Sequence, residues 1–502
     1  MSEIGSGQSA RSARIHAWVA ALLAAAIGLP ILYYPLGIDQ SVFQYVADRW
    51  MHGYLPYRDA WDIKPVGTYL LYALPQFLVG TQDYGPRLLD IVCVFFIALG
   101  LNRIVCQTTG ARYHYFAGIY YAIAYFACFN FTNLSQSESL AMPFCVWAYV
   151  EAYRRESSFT RRFAIIGVCL AASILIKPTM TILILPAFFI GWPKKENYVK
   201  AIGGTLVGLI VVLAPIYAYL YANGLGPYLA ELNAVQVDYA KTMELPSWTR
   251  VRLQCNWFSF YPLHFIGALI SLAIALFTRF GKLCAILTFL GLVSVALQGK
   301  YLIYHFVVMT MPAALAAGFA WEIIRERLNA NSNLSIFRLP LYSVPILLLV
   351  INIKYFVVPL TFATGLMSRE KYLTFHSEGI YSSLPAQTLA NQIITRSHQT
   401  NTSLYCYTFD PVIYLYTGMR TQCRFFSNQF LSQGWYPNWF RFRVFREIST
   451  YLETSPPDFI VIQNTVPPDF RFATDGQTIS VGGATYNIIY KSGSMFLGEL
   501  DR

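Results

Sequence analysis

The chain has 502 residues, 56% hydrophobic and only 13% charged, too little polar side chain to wet the surface of a water-soluble protein. Its apolar residues gather in blocks of about 15 to 22, the length that crosses a hydrocarbon core. The net charge of +11 does not point to nucleic acid, because the basic residues form no long run and no nucleic-acid module is visible.

Met1 to His16 is polar and carries Arg11 and Arg14. The apolar stretch after it ends in Tyr33-Tyr34-Pro35 with no small-residue cleavage site, so it reads as a retained first helix and not a signal peptide. Further spans are predicted near 87–105, 113–130, 138–153, 163–177, 178–192, 200–221, 261–278, 282–298, 303–320 and 339–358, after the first near 17–35. With the N-terminus inside, alternation leaves Arg103 to Arg112, Arg154 to Arg162, Lys194 to Lys200, Arg279 with Lys282, and Arg325 to Arg338 inside as well. That is the positive-inside pattern. It requires setting aside Val66 to Gly80, a short stretch containing Pro75, as a helix at the outer interface. Ser41 to Trp50 reads as a second, amphipathic helix lying on the membrane.

The predicted fold class is a polytopic α-helical membrane protein of about eleven spans with a small C-terminal α/β periplasmic domain. Residues 1–358 form the membrane part and 359–502 the soluble outer part. In the latter, Ser403 to Phe409, Phe459 to Gln463 and Thr485 to Tyr490 read as strands and Trp439 to Leu452 as a helix. Cys406 and Cys423 lie there too, where an oxidising compartment would permit a disulfide.

Candidate chemistry concentrates in Gly37 to Tyr69, which holds Asp39, Asp59, Asp62, Arg58 and Lys64 in a chain otherwise poor in charge. Plain structural alternatives stand beside these: helix capping for Asp39, turn or ion-pair roles for Asp59 and Asp62, snorkelling for Lys64. Glu138 stands at the outer end of a span, where a carboxylate must face a cavity or a partner. Arg87, Lys177 and Lys300 lie on the outer side against the charge bias, at a depth that suits a lipid phosphate. Tyr301 and His305 follow Lys300.

Asp39 after the first helix, Pro56-Tyr57-Arg58-Asp59, Lys64-Pro65, Glu138, Lys177-Pro178 and Gly299 to His305 together resemble the GT-C membrane glycosyltransferases. The likeness is nearest to bacterial relatives of protein O-mannosyltransferases and of the aminoarabinose transferases that modify lipid A, and it extends over residues 30–320. It implies a polyprenyl-phosphate sugar donor, such as an undecaprenyl phosphate derivative, and inversion at the anomeric carbon. It also implies an active site at the periplasmic face of a bacterial inner membrane. The catalytic Asp falls on Asp39, with Glu138 assisting. Lys64, Arg87, Lys177 and Lys300 are the expected donor-phosphate ligands, and Arg58, Asp59, Asp62, Tyr301 and His305 the expected substrate contacts. Relatives often carry Asp-Glu and Lys-Pro-Pro where this chain has Asp39-Gln40 and Lys64-Pro65-Val66. Ser137-Glu138-Ser139 stands where an Asp-x-Asp metal motif would be, which argues against an essential divalent metal. The expected partners are the lipid-linked donor and a glycolipid, glycan or protein acceptor. The rival readings are a lipid-linked sugar flippase, which would show internal repeats, and a polysaccharide polymerase or ligase.

Overall fold

The structure is a computed structural model. It describes residues 15–111, 114–154, 158–190, 195–241, 247–255, 262–276, 280–330, 338–377, 383–397, 402–432, 435–463, 473–474 and 477–501. Arg11, Arg14, Arg112, Arg155, Lys194 and Arg279, which carry part of the topology argument, lie outside the described residues. The chain forms two compact units, one of residues 1–32, 87–219 and 245–358, the other of 33–86, 220–244 and 359–502.

The first unit is helical. Among the described residues, five helices are long and apolar enough to cross a membrane: Tyr84–Thr109, Phe159–Ile176, Tyr198–Ala222, Gly281–Gln298 and Ile303–Glu326. Pro345–Ile351 and Lys354–Ala363 make one further candidate, bent by 57°. Each stretch predicted as a span contains helix among its described residues. Ile15–Ala26, Phe116–Cys128 and Pro178–Ile190, however, are shorter than a full crossing. Ile303–Glu326 is almost wholly buried, while Tyr198–Ala222 keeps most of its apolar surface exposed, as a lipid-facing helix would. That outer helix is held to Phe159–Ile176 by close backbone approach. A Cβ on Gly208 would run into the Ala164 carbonyl oxygen, one on Gly204 into that of Thr160, and one on Gly167 into that of Thr205. Gly204 and Gly208 are four residues apart and share a helix face, the small-residue spacing that lets apolar helices pack in lipid.

The second unit gathers three separated segments around a sheet. Strands β1 (Leu404–Tyr407), β2 (Phe459–Gln463), β3 (Ala473–Thr474), β4 (Thr478–Val481), β5 (Ala484–Ser492) and β6 (Met495–Leu500) lie in the order β1-β2-β6-β5-β4-β3. Only the β1–β2 pair is parallel, crossed over by the helix Asn438–Thr454 among others, and both strands are fully buried. The predicted strands and helix are present. The antiparallel remainder adds β3, β4 and β6, and β4 turns into β5 through Gly482-Gly483, both with positive φ, as a two-residue hairpin demands. Cys406 and Cys423 are buried free thiols.

One expectation is corrected here. The helix after Asp39, Ile38–Met51, does not present one face to a membrane; eleven of its fourteen residues are buried, Gln40, Ser41, Gln44, Asp48 and Arg49 among them. It packs on Val66–Val79 and on Val412–Thr417. Two of its polar side chains are bonded to the C-terminal segment: Ser41 Oγ donates to Asp410 Oδ1 at 2.6 Å, and Arg420 Nε donates to Asp48 Oδ2 at 2.9 Å.

Candidate active site

In the second unit, Gly37 is the N-cap of Ile38–Met51 in extended conformation, and Asp39 falls in the first turn, not at the cap. A carboxylate there is favoured by the free N–H groups of the helix end. Asp39 is half-buried, and among the described residues its carboxylate makes no hydrogen bond and no ion pair. Asp62 is its electrostatic neighbour. Burial pushes the Asp62 carboxyl above the usual carboxylate range, the Lys64 ammonium pulls it back, and the Asp39 charge adds to the upward push. Tyr69 OH lies 2.8 Å from Asp62 Oδ2 and 3.0 Å from the Lys64 carbonyl oxygen. The Tyr69 hydroxyl thus has both the Asp62 carboxylate and the Lys64 carbonyl within reach as acceptors, and its bond to Asp62 opposes the upward push of burial.

The loop between these groups is tightly built. Tyr57 has a φ of 67°, and its hydroxyl donates to the Lys64 carbonyl at 2.9 Å. Asp59 accepts from the Leu55 N–H at 2.7 Å and pairs with Arg58 at 2.8 Å. Burial works against the Asp59 charge, but those two donors hold its carboxyl below the usual range. Both residues thus hold the turn. Trp61 N–H donates to the Arg424 carbonyl at 2.9 Å, and its fully buried ring packs against Phe425, Phe430, Tyr436 and Phe440. Arg424 is gripped by Glu231, at 3.2 Å, and by Glu447, at 2.7 Å. Lys64 Nζ lies 5.6 Å from the centre of the Phe43 ring.

The first unit holds the other predicted residues. Lys177 ends Phe159–Ile176 in extended conformation, which the following Pro178 enforces. From this corner its Nζ reaches Glu138 Oε1 at 2.7 Å, with Glu138 in the first turn of Ser137–Ala152 and fully buried. His305 Nε2 stands 3.9 Å from the same oxygen, and Leu302 N–H donates to His305 Nδ1. A neutral His305 therefore carries its proton on Nε2, toward Glu138. Lys300 follows the left-handed Gly299 that ends Gly281–Gln298, and Tyr301 is itself left-handed at φ 52°. Burial pushes the Lys300 ammonium down to about 8. Arg87 is fully buried, donating to Ser135 Oγ at 3.2 Å and to the Phe131 carbonyl at 2.9 Å. Among the described residues no three His, Cys, Asp or Glu side chains gather where they could hold a metal ion.

The sequence matches no family model and no curated protein sequence. Solved structures do match. ArnT from Cupriavidus metallidurans bound to undecaprenyl phosphate superposes with a TM-score of 0.57 at 12% identity, over 96% of this chain and 97% of that one. Its apo form gives 0.55 at 13% identity with the same coverage. The chain has the GT-C fold. Arabinofuranosyltransferase AftD from Mycobacteria, a further neighbour, aligns over 97% of this chain with a TM-score of 0.54 at 13% identity, and this chain spans 40% of its length.

Within the GT-C fold this chain also carries polar groups not singled out from its sequence. Asp90, inside Tyr84–Thr109, accepts from Tyr125 OH at 2.8 Å and from Ser135 N–H at 2.9 Å, and so shares Ser135 with Arg87. A carboxylate inside an apolar span was a readable signal for it. Asp410, Arg424 and Glu447 gave no such signal, because they lie in a polar segment where charge is ordinary.

Proposed function

We propose that this chain is a glycosyltransferase that takes its sugar from a polyprenyl-phosphate carrier at the extracytoplasmic face of the membrane. The observation that carries the reading is the uncommitted Asp39 carboxylate in the first turn of a buried, tightly braced helix. Such a group is free to accept the proton of an acceptor hydroxyl, which is worth about 100- to 10,000-fold in rate. The GT-C fold supports the donor class, since one solved neighbour was crystallised with undecaprenyl phosphate.

In this reading the acceptor oxygen attacks the anomeric carbon as the bond to the lipid phosphate breaks, with inversion. The proton passes to Asp39 and the electron pair leaves with the phosphate. Cations stabilise the charge that develops there. Lys64, Arg87, Lys177 and Lys300 are the candidates, with Lys177 already paired to Glu138. Asp62, Arg58, Asp59, Tyr301 and His305 are proposed as substrate contacts. The mechanism requires no divalent metal.

The test is consumption of a radiolabelled prenyl-phosphate sugar by purified protein in liposomes. An enzyme releases the lipid phosphate, whereas a flippase moves the donor intact. Asp39→Asn should abolish release while donor binding persists. Full activity in that variant would place the base elsewhere.

A further inference from the structure

A second candidate binding surface lies in the second unit, away from the Gly37 to Tyr69 loop in sequence. The helices Arg369–Phe375 and Ser383–Arg396 and strand β5 border a shallow open groove of about 670 Å³, within the ordinary size range for a small-ligand site. Leu373 and Leu384 give it an apolar contribution. Its polar lining is mostly uncommitted. Among the described residues, the side chains of Glu370, Asn391, Tyr490 and Ser492 make no hydrogen bond or ion pair. Arg369 Nε donates to Gln387 Oε1 at 2.9 Å, which fixes that amide with its NH₂ as the remaining donor.

The strand shows a second feature at the same place. The pairing of β5 with β6 shifts register between Ile488 and Tyr490. A bulge re-aims the side chains that follow it. Tyr490 and Ser492, two residues apart and so on one face, both reach the groove.

We propose that this groove binds a short neutral oligosaccharide. An aromatic ring, amides, hydroxyls and one carboxylate beside small apolar patches match a sugar, which offers a C–H face and a rim of hydroxyls. A lipid tail would need a continuous apolar lining. A polyanion would need an excess of cations, and here Arg369 is offset by Glu370. The proposal deepens the glycosyl-transfer reading, on which it rests for its biological sense, by giving a glycan acceptor a place to dock. The binding itself is measurable without turnover.

The experiment is saturation-transfer NMR on the full chain in lipid nanodiscs, free of glycoside detergent. The probes are a panel of neutral gluco-, galacto-, manno- and arabino-oligosaccharides, with inositol hexakisphosphate as the polyanion. At least one neutral oligosaccharide should show saturation transfer, and Tyr490→Ala should weaken it about tenfold, the value of one aromatic contact. Asn391→Ala should weaken it less, with melting temperature unchanged in both variants. No transfer from any oligosaccharide at about 10 mM, the weak limit of specific recognition, would overturn the proposal. So would transfer undiminished in both variants, or preference for the polyanion. Loss of glycosyl transfer with sugar binding intact would sink only the proposed reaction. The reverse result would sink only the groove.

Discussion

Asp39 and Glu138 each sit in the first turn of a helix, where the helix end favours negative charge. Glu138 is fully buried and is neutralised by Lys177 at 2.7 Å, with His305 close behind. Asp39 is half-buried and has no such counter-ion among the described residues. The difference follows from solvation. A carboxylate removed from water must be paired to remain charged, and once paired it is occupied. One that keeps some exposure can stay unpaired and so remain available to a substrate. A carboxylate at the same helix position thus becomes scaffold in one unit and candidate reagent in the other.

Neutral isosteres of the two carboxylates sharpen that contrast most. Asp39→Asn is expected to lower transfer by roughly 100- to 10,000-fold with little change in melting temperature. Glu138→Gln leaves the Lys177 ammonium buried without its counter-ion, at a cost of about 3–5 kcal/mol of stability by chemical denaturation. Adding Lys177→Met should restore much of that loss. Rescue absent in the double variant would break the scaffold reading of Glu138.

Asp410 extends the comparison to a third carboxyl. Burial pushes it up to about 6, while the Ser41 hydroxyl and Val412 N–H oppose the shift. Because its folded value lies above the unfolded one, its contribution to stability is complete below about pH 4 and is lost as pH rises through 6. Asp410→Asn keeps an acceptor for Ser41 and removes this dependence. The variant should therefore gain up to about 3 kcal/mol relative to wild type between pH 4 and pH 7, read from melting curves. The smallest effect is expected from a change that touches no carboxylate. Gly208→Ala presses a methyl group into the Ala164 carbonyl and should cost about 1–3 kcal/mol. Turnover per folded molecule should not change.

The helical blocks were legible because lipid demands long apolar runs, β1 and β2 because buried strands read as short runs of large apolar residues, and β5 because Thr485 to Tyr490 is rich in β-branched and aromatic residues. Strand β4 has four residues and β3 two, too few for a periodic pattern, although Gly482-Gly483 was a hairpin signal beside them. The buried helix Ile38–Met51 was misread for a different reason. Ser41 and Asp48 look like a water-facing stripe until Asp410 and Arg420, some 370 residues later, arrive to satisfy them. Local sequence carries no trace of such distant partners. For the candidate site, Asp39 and its neighbours were readable as a concentration of charge in an apolar chain. The commitment of Glu138 to Lys177 was not, since it depends on where a proline corner points a side chain.

The aromatic cage around Trp61 has an evolutionary corollary. Its walls come from residues 425–440, so the opening loop and the chain's end share one folded body. Chimeras that exchange C-terminal segments between relatives would have to transplant the Trp61 loop along with them. Natural variants should show the two stretches changing in concert.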